Sequence, residues 1–275
     1  MTRIAVLQMT SGTDPEANAA VLTDAVGRAA EGGAAMLFTP EMSGLLDRDR
    51  ARAAEHIVAE GNNPVLAAVR AAAADRRVWV ALGSLAVRRE DGRWANRSLL
   101  IDHRGEIAAR YDKIHMFDVE LSSGETWRES SAYEAGSSVV VAETPVRRLG
   151  LTVCYDIRFP ALFEELGRQS CDVIAIPAAF TVPTGKAHWH VLQRARAIEA
   201  SAYVVAAAQV GTHADGRSTY GHSLVVDPWG EVLLDLGGEA PALGFADIEP
   251  ERIAEIRRQL PSLANRRSIS KSLAQ

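Results

Sequence analysis

Three ionisable residues share an address in this sequence, each just past the C-terminal end of an apolar run. Glu41 follows AAMLF through Thr39-Pro40, Lys113 follows IAARY after Asp112, and Cys154 directly ends RLGLTV. In α/β sheets, ligands collect outside the carboxyl ends of the strands, so these three side chains are placed to converge on one pocket. A carboxylate, an ammonium and a thiol suffice for acyl transfer: a base, a cation for an oxyanion and a nucleophile. Each alone has an ordinary reading. A free thiol at a strand end is commonly inert and buried, a glutamate there caps a helix or faces water, and a loop lysine is solvated. Their coincidence at three strand ends is what favours chemistry.

The elements that would position them alternate along the chain. A strand at Ile4–Leu7 leads to a helix at Glu16–Glu31, with Asp14 as N-cap and Pro15 in the first turn. A buried strand follows at Ala35–Phe38, then helical segments at about 50–60 and 63–75. Val78–Arg88 and Arg93–Ile101 form a hairpin around Asp91-Gly92, and a strand follows at 106–111. Residues 112–138 are polar and without period, a length that is usually functional or disordered. Further strands are expected at Val139–Ala142, Val146–Val153, Asp172–Ile176 and Tyr203–Gln209, with helices at Pro160–Gly167 and His188–Ala200. A second hairpin, Gly221–Val226 with Glu231–Leu236, turns at Asp227-Pro228-Trp229-Gly230, and a strand at 243–248 precedes a helix at Glu251–Leu260. No linker divides the chain. It reads as one domain over 1–275, with a core at about 3–260 and a tail at 261–275, and as a layered α/β sandwich rather than a βαβ barrel.

Composition narrows the class. Of 275 residues, 47% are hydrophobic and 24% charged, which excludes a disordered chain, a fibre and a disulfide-stapled miniprotein. The net charge of −5 excludes a large basic surface, so nucleic acid is not an expected partner. Cys154 and Cys171, the two cysteines, form no CxxC pair and fit a reducing compartment. The opening MTRIAVLQMT is too short in apolar residues for a signal peptide. No window approaches the ~18 apolar residues of a membrane span. The expected location is the cytoplasm, with no membrane association.

The blocks FTPEMSG, YDKIHMFDVE, LTVCYDIRFP, TGKAHWHVLQRARAIE and YGHSLVVDPWGEV resemble, in order and spacing, those of the nitrilase (carbon–nitrogen hydrolase) superfamily, from Ile4 to about Arg267. The resemblance implies a four-layer αββα sandwich and hydrolysis of non-peptide C–N bonds through a Glu–Lys–Cys triad. That triad would be Glu41, Lys113 and Cys154, with Glu129 as a second glutamate 25 residues before the cysteine. It implies no cofactor, and dimers or higher homo-oligomers formed through helices beside the Cys-bearing segment. Within the superfamily the blocks look most like the branch that hydrolyses deaminated glutathione to 2-oxoglutarate and cysteinylglycine. The omega-amidase branch, acting on 2-oxoglutaramate and 2-oxosuccinamate, usually reads GAFN where this chain has Ala178-Ala179-Phe180-Thr181. The fold can also serve as a non-catalytic interaction platform, but a full triad argues against that reading.

The substrate of either amidase branch is a small anionic amide, so a chain of net negative charge must supply local cations, for which Arg158, Lys113 and Lys186 are the nearest candidates. Arg158 can grip a carboxylate in bidentate fashion, or pair with Asp156 to hold the turn after the nucleophile. The N–H of Tyr155 is expected to serve the oxyanion, and Phe180 and Thr181 to line the pocket. No metal site is expected. His188 and His190 are i and i+2 on a helix and face apart, while His115 and His222 read as hydrogen-bonded scaffold. Cys171 reads as structural, and Arg194 and Arg196 as a solvated or ion-paired helix face. Asn96-Arg97-Ser98 matches a glycosylation pattern that has no meaning in the cytoplasm.

Overall fold

The computed structural model describes residues 1–120, 124 and 126–267. Two six-stranded sheets carry the fold. The first runs, in spatial order, Ala242–Ile248, Thr2–Gln8, Met36–Phe38, Trp79–Arg88, Trp94–Ile101, Ile107–Asp112. The second runs Val232–Asp235, Leu224–Val226, Tyr203–Ala206, Val173–Ala175, Arg147–Leu151, Val140–Thr144. Each sheet has three parallel strands at its centre, Thr2–Gln8 with Met36–Phe38 and Trp79–Arg88 in one, and Arg147–Leu151 with Val173–Ala175 and Tyr203–Ala206 in the other. Antiparallel strands flank both triplets.

Parallel neighbours need crossover connections, and helices supply them. In the first half these are α1 (Pro15–Glu31), the short α2 (Arg50–His56) and α3 (Pro64–Arg76). In the second they are α4 (Pro160–Arg168) and α5 (Val182–Ala200), while α6 (Pro250–Gln259) follows the last strand. Asp14 caps α1 by accepting from the N–H groups of Glu16 and Ala17, and Asn63 caps α3 from the N–H of Leu66. Proline opens α1 and α3, where its missing N–H costs nothing.

The period-2 alternation of the strands assigns the layers. On the first strand Ala5 and Leu7 pack with Leu22, Val26 and Ala29 of α1 and with Val69 of α3. Ile4 and Val6 face the other way, into a cluster with Leu149, Leu151, Ile174 and Val204 of the second sheet. Met36 and Phe38 join the inter-sheet cluster and Leu37 joins the helical one. Trp189, Ala197 and Ala200 of α5 belong to the same large cluster as the second sheet. The result is the αββα sandwich that the sequence blocks imply.

The structure departs from the sequence reading in three places. The helix expected from His188 starts at Val182, because Pro183 suits a first turn and Gly185 is not a helix stop. A Cβ on Gly185 would run into the Tyr220 ring, so close packing accounts for that glycine. The segment 112–138 contains a small ribbon, Asp118–Glu120 with Thr126–Arg128, and a 3-10 turn at Glu129–Ser131; residues 121–123 and 125 lie outside the described residues. A second ribbon joins Val210–Thr212 to Ser218–Tyr220. Strands of three residues are too short to show an alternation. The expected tail 261–275 lies outside the described residues from 268 onward. Among the described residues, no helix is long and apolar enough to cross a membrane.

One backbone approach positions the first sheet's contribution to the site. The pairing of Trp79–Arg88 with Trp94–Ile101 shifts register between Leu82 and Leu85. There Gly83 donates its N–H to Thr39 Oγ1 at 3.0 Å, and a Cβ on Gly83 would collide with the carbonyls of Thr39 and Pro40. Gly83→Ala is expected to cost about 1–3 kcal/mol of stability through overpacking, read by urea denaturation. It is also expected to displace the Thr39-Pro40-Glu41 turn and lower turnover.

Candidate active site

Glu41 leaves the end of the middle parallel strand of the first sheet, and its turn is pinned from several sides. Met42 N–H donates to Ser84 Oγ at 2.9 Å, and Gln209 Nε2 donates to the Glu41 carbonyl at 2.9 Å. Lys113 follows the edge strand Ile107–Asp112, its N–H bonded to the Asn96 carbonyl at 2.9 Å and its own carbonyl accepting from Gly136. Cys154 opens the 3-10 turn Cys154–Arg158 after Arg147–Leu151, with φ at 48°, a left-handed conformation uncommon for a side chain other than glycine. Its N–H bonds the Pro177 carbonyl at 2.8 Å.

Asp156 is the knot that holds this turn. Its Oδ2 accepts from the Val153 N–H at 2.8 Å and from the Tyr111 hydroxyl at 2.7 Å. Its Oδ1 accepts from the His115 N–H at 3.0 Å and sits 2.7 Å from His115 Nδ1. The segment carrying Lys113 is thereby tied to the segment carrying Cys154. Asp156 and Arg158 do not pair. Arg158 instead lies over the Phe180 ring, 5.3 Å from its centroid, with Nη1 3.2 Å from His188 Nδ1.

Glu41, Lys113 and Glu129 form a buried charged cluster. Lys113 Nζ is 3.0 Å from Glu41 Oε1 and 2.8 Å from Glu129 Oε2. Glu129 is held by the Phe117 N–H at 2.7 Å, and the Ala179 N–H donates to Glu41 Oε2 at 3.0 Å. Burial works against the charge on Lys113, but Glu129 and Glu41 outweigh it and hold its pKa well above the ordinary value. For Cys154, burial, the Glu41 carboxylate and a hydrogen bond to it push the thiol well up, with Lys113 offsetting in part. The cluster holds two carboxylates, one ammonium and a protonated thiol.

These groups open on a cavity of about 170 Å³ also lined by Tyr155, Arg158, Phe180 and Thr181. The Tyr155 ring meets Phe117 and Phe159 edge-on, at 5.0 Å and 5.3 Å between centroids. Lys186 is exposed on α5 and is not among the lining residues. The cavity holds Lys113 and Arg158 as expected of the local cations, and beside them Arg48, Arg50, Arg128 and Arg217, which the sequence reading did not single out.

Sequence reasoning also missed Asn96. It is fully buried, and its Nδ2 donates to Glu41 Oε1 at 2.9 Å and to Glu129 Oε1 at 3.0 Å. Its only sequence signal was an Asn facing inward in the middle of an apolar strand. Of the two states expected of Arg196 the structure shows the ion-paired one, with Glu199 Oε2 at 2.7 Å, but the side chain is buried, donates to the Ile157 carbonyl at 2.8 Å and lies over Phe163. Away from the cavity, His190 and His222 meet at Asp235, with ligand-type atoms all within 4.8 Å of one another. Hydrogen bonds from both rings to the Asp235 carboxylate, at 3.0 Å and 2.9 Å, account for that grouping.

A buried thiol beside a carboxylate and an ammonium, in a cleft between two α/β half-sandwiches, is the arrangement of a cysteine-dependent hydrolase. Residues 3–258 match the carbon–nitrogen hydrolase family, and the chain belongs to it. It is a hydrolase acting on amide C–N bonds. A deaminated glutathione amidase of Yersinia enterocolitica is 41% identical over 97% of this chain and 93% of its own length. The Homo sapiens protein of the same name is 38% identical over 96% of this chain and 82% of its own. The NitFhit protein of C. elegans superposes with a TM-score of 0.87 at 35% identity, covering 97% of this chain, which spans 65% of that longer protein. An amidase from Nesterenkonia, in a structure that carries the acetamide moiety of fluoroacetamide on its active-site cysteine, superposes with a TM-score of 0.80 at 27% identity over 94% of this chain and 96% of its own.

The thiol shifts set a pH dependence. Cys154 is held well above its ordinary value near 9, and burial pushes Cys171 up to about 12. The folded protein therefore keeps both thiols protonated where the unfolded chain has begun to ionise. This contribution to stability is complete below pH 9 and is lost as pH rises beyond it. The native protein is expected to show no thiolate absorbance at 240 nm between pH 6 and 9, and its urea midpoint to fall from pH 9 to 10.5. A thiolate step near pH 7 would contradict the environment described for Cys154.

Proposed function

We propose that this protein hydrolyses deaminated glutathione to 2-oxoglutarate and cysteinylglycine, with Cys154 as nucleophile, Glu41 as general base and acid, and Lys113 and the Tyr155 N–H as oxyanion donors. Relatives 36–47% identical bear the name of that amidase. The observation in the structure that carries the substrate class is the distribution of charge in the pocket. Glu41 and Glu129 are paired with Lys113, and Asp47 is gripped by Arg52 through two hydrogen bonds at 2.6 and 2.8 Å. Arg48, Arg50 and Arg158 line the same cavity and have no carboxylate partner among the described residues. A substrate bearing carboxylates on both sides of the scissile amide meets cations on loops of both sheets. Arg158 serves the 2-oxo acid end, while Arg48 and Arg50 serve the leaving group.

The reaction begins with a protonated thiol. Glu41 takes the Cys154 proton as sulfur forms its bond to the amide carbon. The oxygen becomes an alkoxide, and Lys113 has a donor for it: one N–H goes to Glu41 Oε1, a second is shared between the two Glu129 oxygens at 2.8 and 3.2 Å, and the third is left for the alkoxide. One preorganised oxyanion donor is commonly worth ~3–4 kcal/mol. Collapse of the tetrahedral adduct breaks the C–N bond, and Glu41 returns its proton to the departing nitrogen, since an amide anion is a very poor leaving group. This acid–base work typically contributes ~10²–10⁴-fold. Water, deprotonated by Glu41, then attacks the thioester, releasing 2-oxoglutarate and regenerating the thiol. Glu129 holds Lys113 in place throughout.

The same reading places the enzyme in the cytoplasm as a homodimer. What supports the dimer is a run of exposed apolar side chains on α5 and the neighbouring hairpin, including Val191, Ile198, Trp229 and Leu233. Size-exclusion chromatography with light scattering is expected to read twice the monomer mass of 29.6 kDa.

The deciding assay is 2-oxoglutarate release from deaminated glutathione and, separately, from 2-oxoglutaramate, with Cys154→Ala as the blank. A strong cysteine-dependent preference for the first is expected, and preference for the second would move the protein to omega-amidase chemistry. Lys113→Arg is expected to be nearly inactive, because guanidinium geometry and reach do not fit a site built for a point charge. Arg158→Ala is expected to raise KM for the oxo acid far more than for a neutral amide, and equal losses on both would remove it as a carboxylate clamp.

A further inference from the structure

The Glu41 carboxylate has more partners than a proton shuttle requires. Oε1 accepts from Lys113 Nζ at 3.0 Å and from Asn96 Nδ2 at 2.9 Å, and Oε2 accepts from the Ala179 N–H at 3.0 Å. A carboxylate offers about four acceptor sites, two on each oxygen. Both sites of Oε1 are taken, which leaves one on Oε2 for the proton of the Cys154 thiol, whose pKa the Glu41 carboxylate helps to raise. Asn96 also ties the base to the second glutamate, since the same Nδ2 reaches Glu129 Oε1 at 3.0 Å.

We infer that Asn96 is a positioning residue of the hydrolysis: its amide occupies Oε1 of Glu41 and so confines proton transfer to Oε2, and it keeps Glu41 and Glu129 from sharing a proton. The amide orientation is dictated by chemistry, because a flipped Asn96 would aim Oδ1 at two carboxylates. Its price is visible in the other half of the amide, as Asn96 Oδ1 is buried with no hydrogen-bond partner. Packing alone gives no reason for that orphan, since an apolar side chain of similar size fills the space without it. What Asn96 adds is one NH₂ group with two hydrogens for two anions. Its backbone carbonyl, which accepts the Lys113 N–H, would do so whatever the side chain.

Two carboxylates sharing one ammonium are otherwise prone to take up a proton between them. The charged or titratable groups around this base are Lys113, Glu129 and the Cys154 thiol, with the Tyr133 phenol, pushed up by burial, near both glutamates. Asn96→Asp keeps the shape and adds a third carboxylate. Asn96→Ser keeps a single donor, too short to bridge.

The inference rests on Glu41 being the base, so Glu41→Gln is assayed beside the two variants. Amide hydrolysis and acrylamide addition to Cys154 are followed from pH 5 to 9, the latter without reference to the natural substrate. Asn96→Asp is expected to move the acid limb of both profiles up by about one pH unit. It is also expected to lower kcat at pH 7 at least about ten-fold with KM within about three-fold, the pattern of a misplaced catalytic group. Asn96→Ser is expected to lose kcat without a comparable limb shift. If both variants are folded by thermal melting and keep the parent's kcat and limb, the positioning role is wrong. Should Asn96→Asp fail to fold, a parent-like kcat in Asn96→Ser overturns the inference equally. Full activity in Glu41→Gln would overturn the base assignment itself, a different failure from that of Asn96.

Discussion

The structure depends on one buried ionic cluster, a lysine held between two glutamates beneath the nucleophile. Lys113 is 2% exposed, and no charge is taken that far from water without cost. Removing one member of such a cluster strands the others, typically at ~3–5 kcal/mol. The cluster is therefore tolerable only where the groups around it supply further hydrogen bonds, and here they do. The N–H groups of Ala179 and Phe117 and the amide of Asn96 complete the two carboxylates. The same low-polarity setting that makes the ions expensive keeps the Cys154 thiol protonated.

The fold's symmetry explains how residues so distant in sequence arrive together. Two parallel β-α-β-α-β cores, one from each half of the chain, face each other through Ile4, Val6, Met36 and Phe38 on one side and Leu149, Leu151, Ile174 and Val204 on the other. The first core delivers Glu41 from its middle strand. The second delivers Cys154 from one strand and, through Pro177 and Ala178, the N–H of Ala179 from the next. Lys113 and Asn96 come from the antiparallel extension of the first sheet. Asp156 then joins these contributions, reaching Tyr111 and His115 across 45 and 41 residues of sequence. The arginines of the cavity are laid over this frame from outside the two main sheets: Arg48 and Arg158 from turns after strands, Arg50 from the start of α2, and Arg128 and Arg217 from the small ribbons and their turns.

Much of this was legible in the chain. Strands with clear alternation, hairpins at Asp91-Gly92 and Asp227–Gly230 and the capped starts of α1 and α3 follow from local rules that the backbone obeys wherever it sits. Glu41, Lys113 and Cys154 were legible because strand ends are, and Glu129 and the sandwich because their blocks resemble a known family. Thr181-Val-Pro-Thr-Gly misled, since Pro183 and Gly185 read as breakers until Tyr220 is seen packed against the glycine. Arg196 was legible as an ion-paired helix residue, but its helix offers no sign that Phe163 and the Ile157 carbonyl wait beneath it.

By itself the sequence determined which segments become strands and helices, where Cys154, Lys113 and Glu41 fall on them, and that with a net charge of −5 any positive charge in the pocket must be local. Only the tertiary structure decided that Asn96, read as part of a glycosylation pattern without meaning in the cytoplasm, is bonded to two carboxylates, that Asp156 braces the Cys154 turn without pairing with Arg158, and that Lys186 lies outside the pocket. The reason is physical. Local propensity and periodicity act over a few residues along the chain, whereas desolvation and hydrogen-bond satisfaction depend on which distant groups share a buried volume, and that is settled only when the two sheets close on each other.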